Sequence, residues 1–507
     1  MPVFKASGFF VSMRTTHIPV SPDWYTVILQ TYANREHGEV TKRSMTMGAI
    51  ARRITRVITA VVCVAVSVGV SVATLHVPTR EGGGERFNPA RYRSDVIVTM
   101  FQANWKSVAR ECGEVLGPEG VGYVQVSPPQ ESIQGTQWWT SYQPVSYKLD
   151  SKEGTEAEFK NMVRQCKAAG VGVIADTVIN HTTGVDKTQG TGTAGSPYDN
   201  KGYFPEAGYT PSDFHAPCSI WTYRDAESVW NCQVSGLQDL DTSSPHVRDV
   251  LSDYFVKLLD YGVAGFRVDA VKHMPPEDVL AIKKLVAKKS GRSMNDIWWT
   301  QEVIGDNAEA AEIQPRNYLK TGQVNEFQYA YRLKSLFSNS LAGGSLSIKD
   351  IPQNITDSGK ASVFVTNWDT ERNNMTLTYK DGDAYRLANA FMLAYPYGAP
   401  NVFSGYEFHD TDSGASGATA TSVPDIDCSK DSGWSCTERW PDVHGMVGWH
   451  NVAGDAPLSD WQDDGDNMIA FGRGGRAFIA INNSVRTRTV TRADNRIVVE
   501  AVNESHR

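Results

Sequence analysis

The sequence predicts an α/β protein: a (β/α)8 TIM barrel with an irregular subdomain inserted after the third strand and a small antiparallel β domain at the C-terminus. Three observations lead there. From Asp95 onward, short β-branched runs alternate with longer helical patterns. That alternation stops once, over residues 182–241, in a stretch rich in Gly, Thr, Ser and Pro. After about residue 454, short runs of strand-like residues follow one another without helices between them.

Taken in order, strands are expected at 96–99 and 122–126, a helix at 159–169, and a continuous apolar strand at 171–178. Residues 182–241 carry no helical period and read as an inserted subdomain. Alternation resumes with a helix at 246–260, a strand at 262–270, a helix at 277–289 and a strand at 297–303. Further strands fall at 324–327, 362–366 and 401–403, with a helix at 383–393. This gives eight strands with intervening helices. Residues 405–440 form a second Gly/Ser-rich loop, and strands are expected at 467–472, 477–482 and 496–502. The implied organisation is a barrel over 90–181 and 242–453, an insertion over 182–241, and a β domain over 454–507 that is short and diverged or truncated.

At 507 residues, with 41% hydrophobic and 21% charged residues, the chain has the make-up of a folded protein large enough for two domains. Its net charge is −8; residues 1–80 carry nine Lys/Arg against three Asp/Glu, which leaves −14 on the remainder. An acidic body with no basic stripe argues against a nucleic-acid partner. Arg52, Arg53 and Arg56 precede an apolar run over 57–73, so 45–80 reads as a signal peptide, with an uncleaved anchor as the alternative. Residues 1–44 lie upstream of Met45 and Met47 and read as a non-structural extension. Once Cys63 leaves with the leader, six cysteines remain: Cys112, Cys166, Cys218, Cys232, Cys428 and Cys436. An even count in a secreted chain fits disulfides; six cysteines allow 15 pairings, of which the sequential one is simplest. Metal-binding thiols are the alternative, but no CxxC occurs.

Chemistry concentrates at predicted strand ends. In Gly265-Phe266-Arg267-Val268-Asp269-Ala270-Val271-Lys272-His273, Arg267 and Asp269 share one strand face and project into the C-terminal mouth of a barrel. Taken alone, this could be a buried ion pair. However, Glu302 and Asp369 end two other predicted strands, and Asp176 lies in a third with Asn180 and His181 just beyond. Carboxylates crowded at one mouth cost free energy unless cations or a reaction compensate, and two carboxyls across a glycosidic bond are what glycoside hydrolysis needs.

These segments resemble the signatures of the α-amylase family of glycoside hydrolases, over residues 95 to about 480. Asp176-Thr177-Val178-Ile179-Asn180-His181 is similar to the first signature, Gly265–His273 to the second, Gln301-Glu302-Val303 to the third and Phe364-Val365-Thr366-Asn367-Trp368-Asp369 to the fourth. Gly236-Leu237-Gln238-Asp239-Leu240-Asp241 resembles a further one inside the insertion. Gln137-Trp138-Trp139-Thr140-Ser141-Tyr142-Gln143-Pro144 and Val271-Lys272-His273 point to secreted actinobacterial and animal members.

The resemblance implies a secreted, monomeric, endo-acting enzyme that cuts α-1,4 links in starch, glycogen and malto-oligosaccharides with retention, free of the membrane once the leader is cleaved. Asp269 would be the nucleophile, kept ionised by Arg267. Glu302 would be the general acid and then base, and Asp369 would hold sugar hydroxyls. Asp176, His181 and Tyr142 would surround the reacting sugar. Lys272 and His273 would contact the reducing side, and Trp138, Trp139 and Gln143 the donor side, with core packing as the alternative for the two tryptophans. A structural Ca²⁺ is implied, held by Asn180 and Asp239 with the carbonyls of His273 and Trp230; otherwise Asp239 merely caps a turn. Two departures stand out. Trp368, counted among the substrate contacts, replaces the usual His of the fourth signature, giving one indole N–H donor where an imidazole would donate to a sugar hydroxyl. Ala399-Pro400-Asn401 follows Pro396-Tyr397-Gly398 where chloride-activated members carry a basic residue, so no chloride is expected. The other functions weighed are a transglycosylating or exo-acting relative and a binding-only barrel. A nucleotide-binding barrel is disfavoured, because no Gly-rich phosphate loop follows a strand.

Overall fold

The structure is a computed structural model that describes residues 25–30, 94–340, 356–465, 467–483, 489–491 and 498–500 of the chain. The expected leader at 45–80 lies outside the described residues. Among the described residues, no helix is long and apolar enough to cross a membrane.

Eight strands form a closed parallel barrel in sequence order: β1 (Ile97–Met100), β2 (Tyr123–Val126), β3 (Gly172–Thr177), β4 (Gly265–Val268), β5 (Trp298–Gln301), β6 (Gln323–Asn325), β7 (Ala361–Phe364) and β8 (Ala399–Ser404). All eight were expected, each within a few residues. Along each strand, alternate residues face in and out. Val98, Val124, Val173, Phe266, Trp299, Val324, Val363 and Val402 join the main core between strands and helices. Ile97, Tyr123, Ile174 and Ala399 form a separate apolar cluster with Trp298. Two residues further along, Thr99 and Asn401 hydrogen-bond (2.8 Å), as do Asn325 and Thr300 (3.1 Å). The barrel interior therefore turns from apolar to polar as it approaches its C-terminal mouth. Gly265 is needed where β4 meets β5: a Cβ there would lie 2.4 Å from the Trp298 ring.

The expected helices are present as α2 (Glu156–Ala168), α3 (Pro245–Asp260), α4 (Pro276–Ser290) and α6 (Asp383–Ala394). In α2, Thr155 and Glu158 form a capping box, and Phe159, Met162, Val163 and Cys166 bury one face. Three helices were missed: α1 (Trp105–Glu111), α5 (Phe327–Ser340) and α7 (Pro441–Ala453). Conversely, β5 and β6 are joined by short 3-10 turns at Ala311–Ile313 and Pro315–Asn317, so the expected barrel helix is missing there. The insertion is not wholly irregular either. His181–Gly184 pairs with Leu237–Asp239, Gln189–Thr191 pairs with Pro197–Asp199, and Ala226–Asn231 forms a helix too short to show a period.

At the C-terminus, β9 (Leu458–Asp463), β10 (Met468–Arg473) and β11 (Ala477–Asn482) form an antiparallel sheet. The third strand expected there falls elsewhere, as Val498–Glu500 pairs with Thr489–Thr491. Tyr25–Gln30 pairs in parallel with β11, which corrects the expectation of no structure for those six residues; the run Thr26-Val27-Ile28-Leu29 has strand-forming composition.

The three sequential disulfides are present: Cys112–Cys166, Cys218–Cys232 and Cys428–Cys436. The first ties α1's end to α2 across 54 residues; the last closes only 8. Because a cross-link constrains the unfolded chain more when its loop is longer, replacing Cys112 and Cys166 by Ser should cost about 2–5 kcal/mol in urea unfolding, with a smaller loss for the Cys428–Cys436 pair.

Candidate active site

Asp176 on β3 and Arg267 on β4 are register partners, and Arg267 is opposite Thr300 on β5. This register makes a guanidinium the centre of the mouth. Arg267 Nη1 donates to both oxygens of Asp176 (2.8 and 3.0 Å) and to Asp269 Oδ1 (2.7 Å). Its Nη2 lies 3.0 Å from Glu302 Oε2. The side chain is 2% exposed, so one buried cation holds three carboxyls from three strands. Glu302 lies within hydrogen-bonding reach of Asp269.

Backbone geometry fixes these groups. The Asp269 N–H donates to Thr177 O (2.9 Å), and the Ala270 N–H donates to Glu302 Oε2 (2.9 Å). Ala270 has φ +51°, a left-handed conformation that a non-glycine residue seldom adopts. It turns the chain from β4 into the 3-10 turn Val271–His273. Asp369 follows β7; its carboxyl makes no hydrogen bond or ion pair among the described residues, and it is partly exposed.

Burial pushes all four carboxyls toward the protonated form. Asp369 is raised to about 8 by burial and then by the nearby Glu302 charge. Asp176 is raised to about 7 by burial, against the pull of Arg267. Burial raises Asp269 and Glu302 too; Arg267 opposes both shifts, and the Asp269 charge reinforces that of Glu302. Four carboxyls around one guanidinium cannot all ionise, so the cluster retains protons near neutrality. That is the condition for one carboxyl to act as an acid while a neighbour acts as a base.

The other expected site residues fall around this centre. Tyr142 donates its hydroxyl to Asp176 Oδ2 (2.8 Å). His181 Nε2 is 3.0 Å from Tyr142 O, its Nδ1 is 3.4 Å from Asn180 Nδ2, and burial lowers it to about 4, so the ring is neutral. Gln143 Oε1 accepts from the Gly184 N–H (2.9 Å), which joins the loop after β2 to the insertion. Lys272 pairs with Glu309 (2.7 Å) and lies 5.1 Å from the Tyr223 ring. Trp138 is half-buried and donates its indole N–H to Thr411 O (2.8 Å), while Trp139 packs against the main core. Trp368 stacks on Phe101 (5.1 Å, 3°), with the Arg267 guanidinium 4.8 Å from its ring.

The residues with a cation-binding pattern also converge. Asn180 Oδ1 is buried with no hydrogen-bond partner, an orphaned acceptor. Asp239 is 2% exposed, 3.3 Å from Asn180 Nδ2, and burial raises it to about 7. His273 Nδ1 lies 3.3 Å from Val229 O, which places the His273 turn against the short helix carrying Trp230. An unsatisfied amide oxygen beside a buried carboxylate fits a hard cation.

Sequence reasoning missed several neighbours. Glu309 neutralises Lys272 from the loop after β5, and His215 Nδ1 holds Asp239 Oδ2 (2.7 Å). Arg372, on the turn after Asp369, packs among Phe101, Trp138, Tyr406 and Phe408. Of these, only Arg372 had a signal, its place three residues after Asp369.

Comparison with known proteins agrees with this geometry. Residues 124–442 match the family model "Alpha amylase, catalytic domain". An α-amylase of Streptomyces violaceus is 44% identical over 400 residues, covering 78% of this chain and 67% of the relative. One of Aeromonas hydrophila is 42% identical, covering 75% and 84%. The crystal structure of α-amylase I from Eisenia fetida superposes with a TM-score of 0.73 at 34% identity, covering 79% of this chain and 86% of that one. A mutant of the earthworm protein is described in complex with maltohexaose. The barrel, its mouth of carboxylates and these relatives together make the chain a member of the α-amylase family of glycoside hydrolases.

Proposed function

We propose that the protein is a secreted, calcium-dependent enzyme that cuts α-1,4-glucosidic links within starch, glycogen and malto-oligosaccharides by a double displacement. The observation that carries this reading is the single guanidinium of Arg267 gathering Asp176, Asp269 and Glu302, with Asp369 unpartnered beside them. The maltohexaose complex of the earthworm relative and the three disulfides support an extracellular α-glucan hydrolase.

In this reading the Asp269 carboxylate attacks the anomeric carbon while Glu302, protonated, gives its proton to the departing glycosidic oxygen. The C–O bond to the leaving chain breaks as the Asp269 ester forms. Glu302, now ionised, takes a proton from water; the hydroxyl attacks the same carbon, and Asp269 leaves as carboxylate. Two inversions give net retention. Arg267 steadies Asp269 as it recovers its charge. The raised pKa of Glu302 matches a general acid working near neutrality. Asp369, with no side-chain partner among the described residues, is free to hydrogen-bond with hydroxyls of the distorted sugar.

Asn180, Asp239 and the carbonyls of His273 and Trp230 are the groups to hold Ca²⁺. The ion supplies a structural link between insertion and barrel. No basic residue follows Pro396-Tyr397-Gly398; Asn401 accepts there from Thr99, and activity is proposed to be independent of chloride.

Asp269→Asn and Glu302→Gln should each lower kcat on starch by roughly three orders of magnitude or more, with folding intact by circular dichroism. Proton NMR of the first-formed maltosaccharides should show the α-anomer; immediate β-anomer would exclude the double displacement. Chelation of the folded protein should lower its melting temperature by roughly several degrees before activity fades, and excess Ca²⁺ should restore it.

A further inference from the structure

We infer that Arg372 is a positioning residue for donor-side binding, fixing Trp138 and the Asp369 turn in one wall of the cleft; this rests on reading the cleft as an α-glucan site. Arg372 closes the turn after β7, its backbone N–H donating to Asp369 O (3.1 Å). Its side chain is 5% exposed. The guanidinium sits 4.3 Å from the Phe408 ring, 5.2 Å from Trp138, and 5.4 Å from Phe101 and Tyr406. Nη1 donates to Trp368 O (2.8 Å) and pairs with buried Glu371, whereas Nε donates to Thr411 O (3.1 Å). That same Thr411 oxygen accepts the Trp138 indole N–H (2.8 Å). One side chain thus joins the loops after β2, β7 and β8.

Arg372 Nη2 is buried, and the side chain as a whole is 5% exposed. The guanidinium therefore cannot reach a sugar and must act through what it touches. What it touches is the donor-side wall. Among the described residues the Asp369 carboxyl has no partner, so its aim depends on its turn, which Arg372 closes through its backbone N–H to Asp369 O and its side chain to Trp368 O. Trp138 is gripped at its N–H edge by Thr411 and lies against the guanidinium, leaving part of the indole exposed. Asp269 and Glu302 are held separately, by Arg267 and by backbone N–H groups. Lysine could supply the charge but not the planar fork that spans Trp368 O and Thr411 O while stacking on rings.

The test is a double-mutant cycle on the full-length protein with maltoheptaose, measuring kcat and KM. Arg372→Met should raise KM about tenfold or more with a smaller change in kcat, and Arg372→Lys should recover only part of the loss. Trp138→Leu alone should raise KM, and adding Arg372→Met to it should bring less than about a twofold further rise, because both act through one platform. Should Arg372→Met fail to fold, the cycle runs with Arg372→Lys. A wild-type KM in a folded Arg372 variant, or KM effects that multiply in the double variant, would overturn the inference. Absence of starch cleavage by the wild-type chain would instead overturn the reading of the cleft.

Discussion

A single buried guanidinium sets the terms for this active site. Arg267 is 2% exposed and contacts three carboxyl groups, each from a different strand end. Three or four carboxyls in a dry mouth repel one another and lose hydration; without a cation they would all protonate or the mouth would open. Removing one partner of such a buried arrangement costs about 3–5 kcal/mol, so the cluster and the barrel stand together. The balance also leaves room for function. Burial raises every carboxyl, Arg267 lowers them again, and the site holds fewer charges than groups. A proton is therefore available at the mouth without any group having to be an acid by its intrinsic chemistry.

The fold makes this arrangement inexpensive by placing it where strand register already converges. Asp176 and Arg267 face each other as neighbours in one sheet, and Asp269 is two residues further on the same face. Gly265 lets β4 approach Trp298 closely, and the left-handed Ala270 redirects the chain so that the Glu302 carboxylate meets a backbone N–H. The insertion is then pulled onto the same mouth by Gln143 with Gly184 and by the orphaned oxygen of Asn180 beside Asp239. Strain and unsatisfied polar groups collect at this mouth, as expected where structure serves chemistry.

Most of the barrel was legible because its strands are short apolar runs at regular intervals, and the clustered carboxylates end those runs. The chain failed to announce what tertiary packing decides. Helix α7 includes Gly445 and Gly448 and buries polar Asp442 and His450 on its inner face, so no clean amphipathic stripe marks it. The β5–β6 crossover has helix-forming composition near 308–314 but folds as short turns, with Pro315 ending the run. In the site, residue type indicated chemistry but not partnership. Lys272 is tied to Glu309 and Gln143 to a backbone amide, and spacing alone could not show either bond because the partners lie in distant loops. The disulfides were legible through simple economy of pairing, since sequential neighbours were also spatial ones.

Trp368 shows how a departure from a signature can be absorbed. Where the family signature has an imidazole, this chain places an indole, 4% exposed, parallel to Phe101 and 4.8 Å from the Arg267 guanidinium. Phe101 also has another buried guanidinium near its ring, that of Arg372, at 5.4 Å. Each ring face is electron-rich and each guanidinium is weakly hydrated and flat, so each ring attracts the cation beside it. A smaller imidazole would leave a gap between Phe101 and Arg267 and would be able to take on charge beside that arginine. The indole fills the space, stays neutral at every pH, and couples the orientation of Arg267 to packing rather than to titration. Arg267 is thus bounded by the Trp368 ring and by the carboxyls of Asp176, Asp269 and Glu302, and each of these contacts is made by the protein itself.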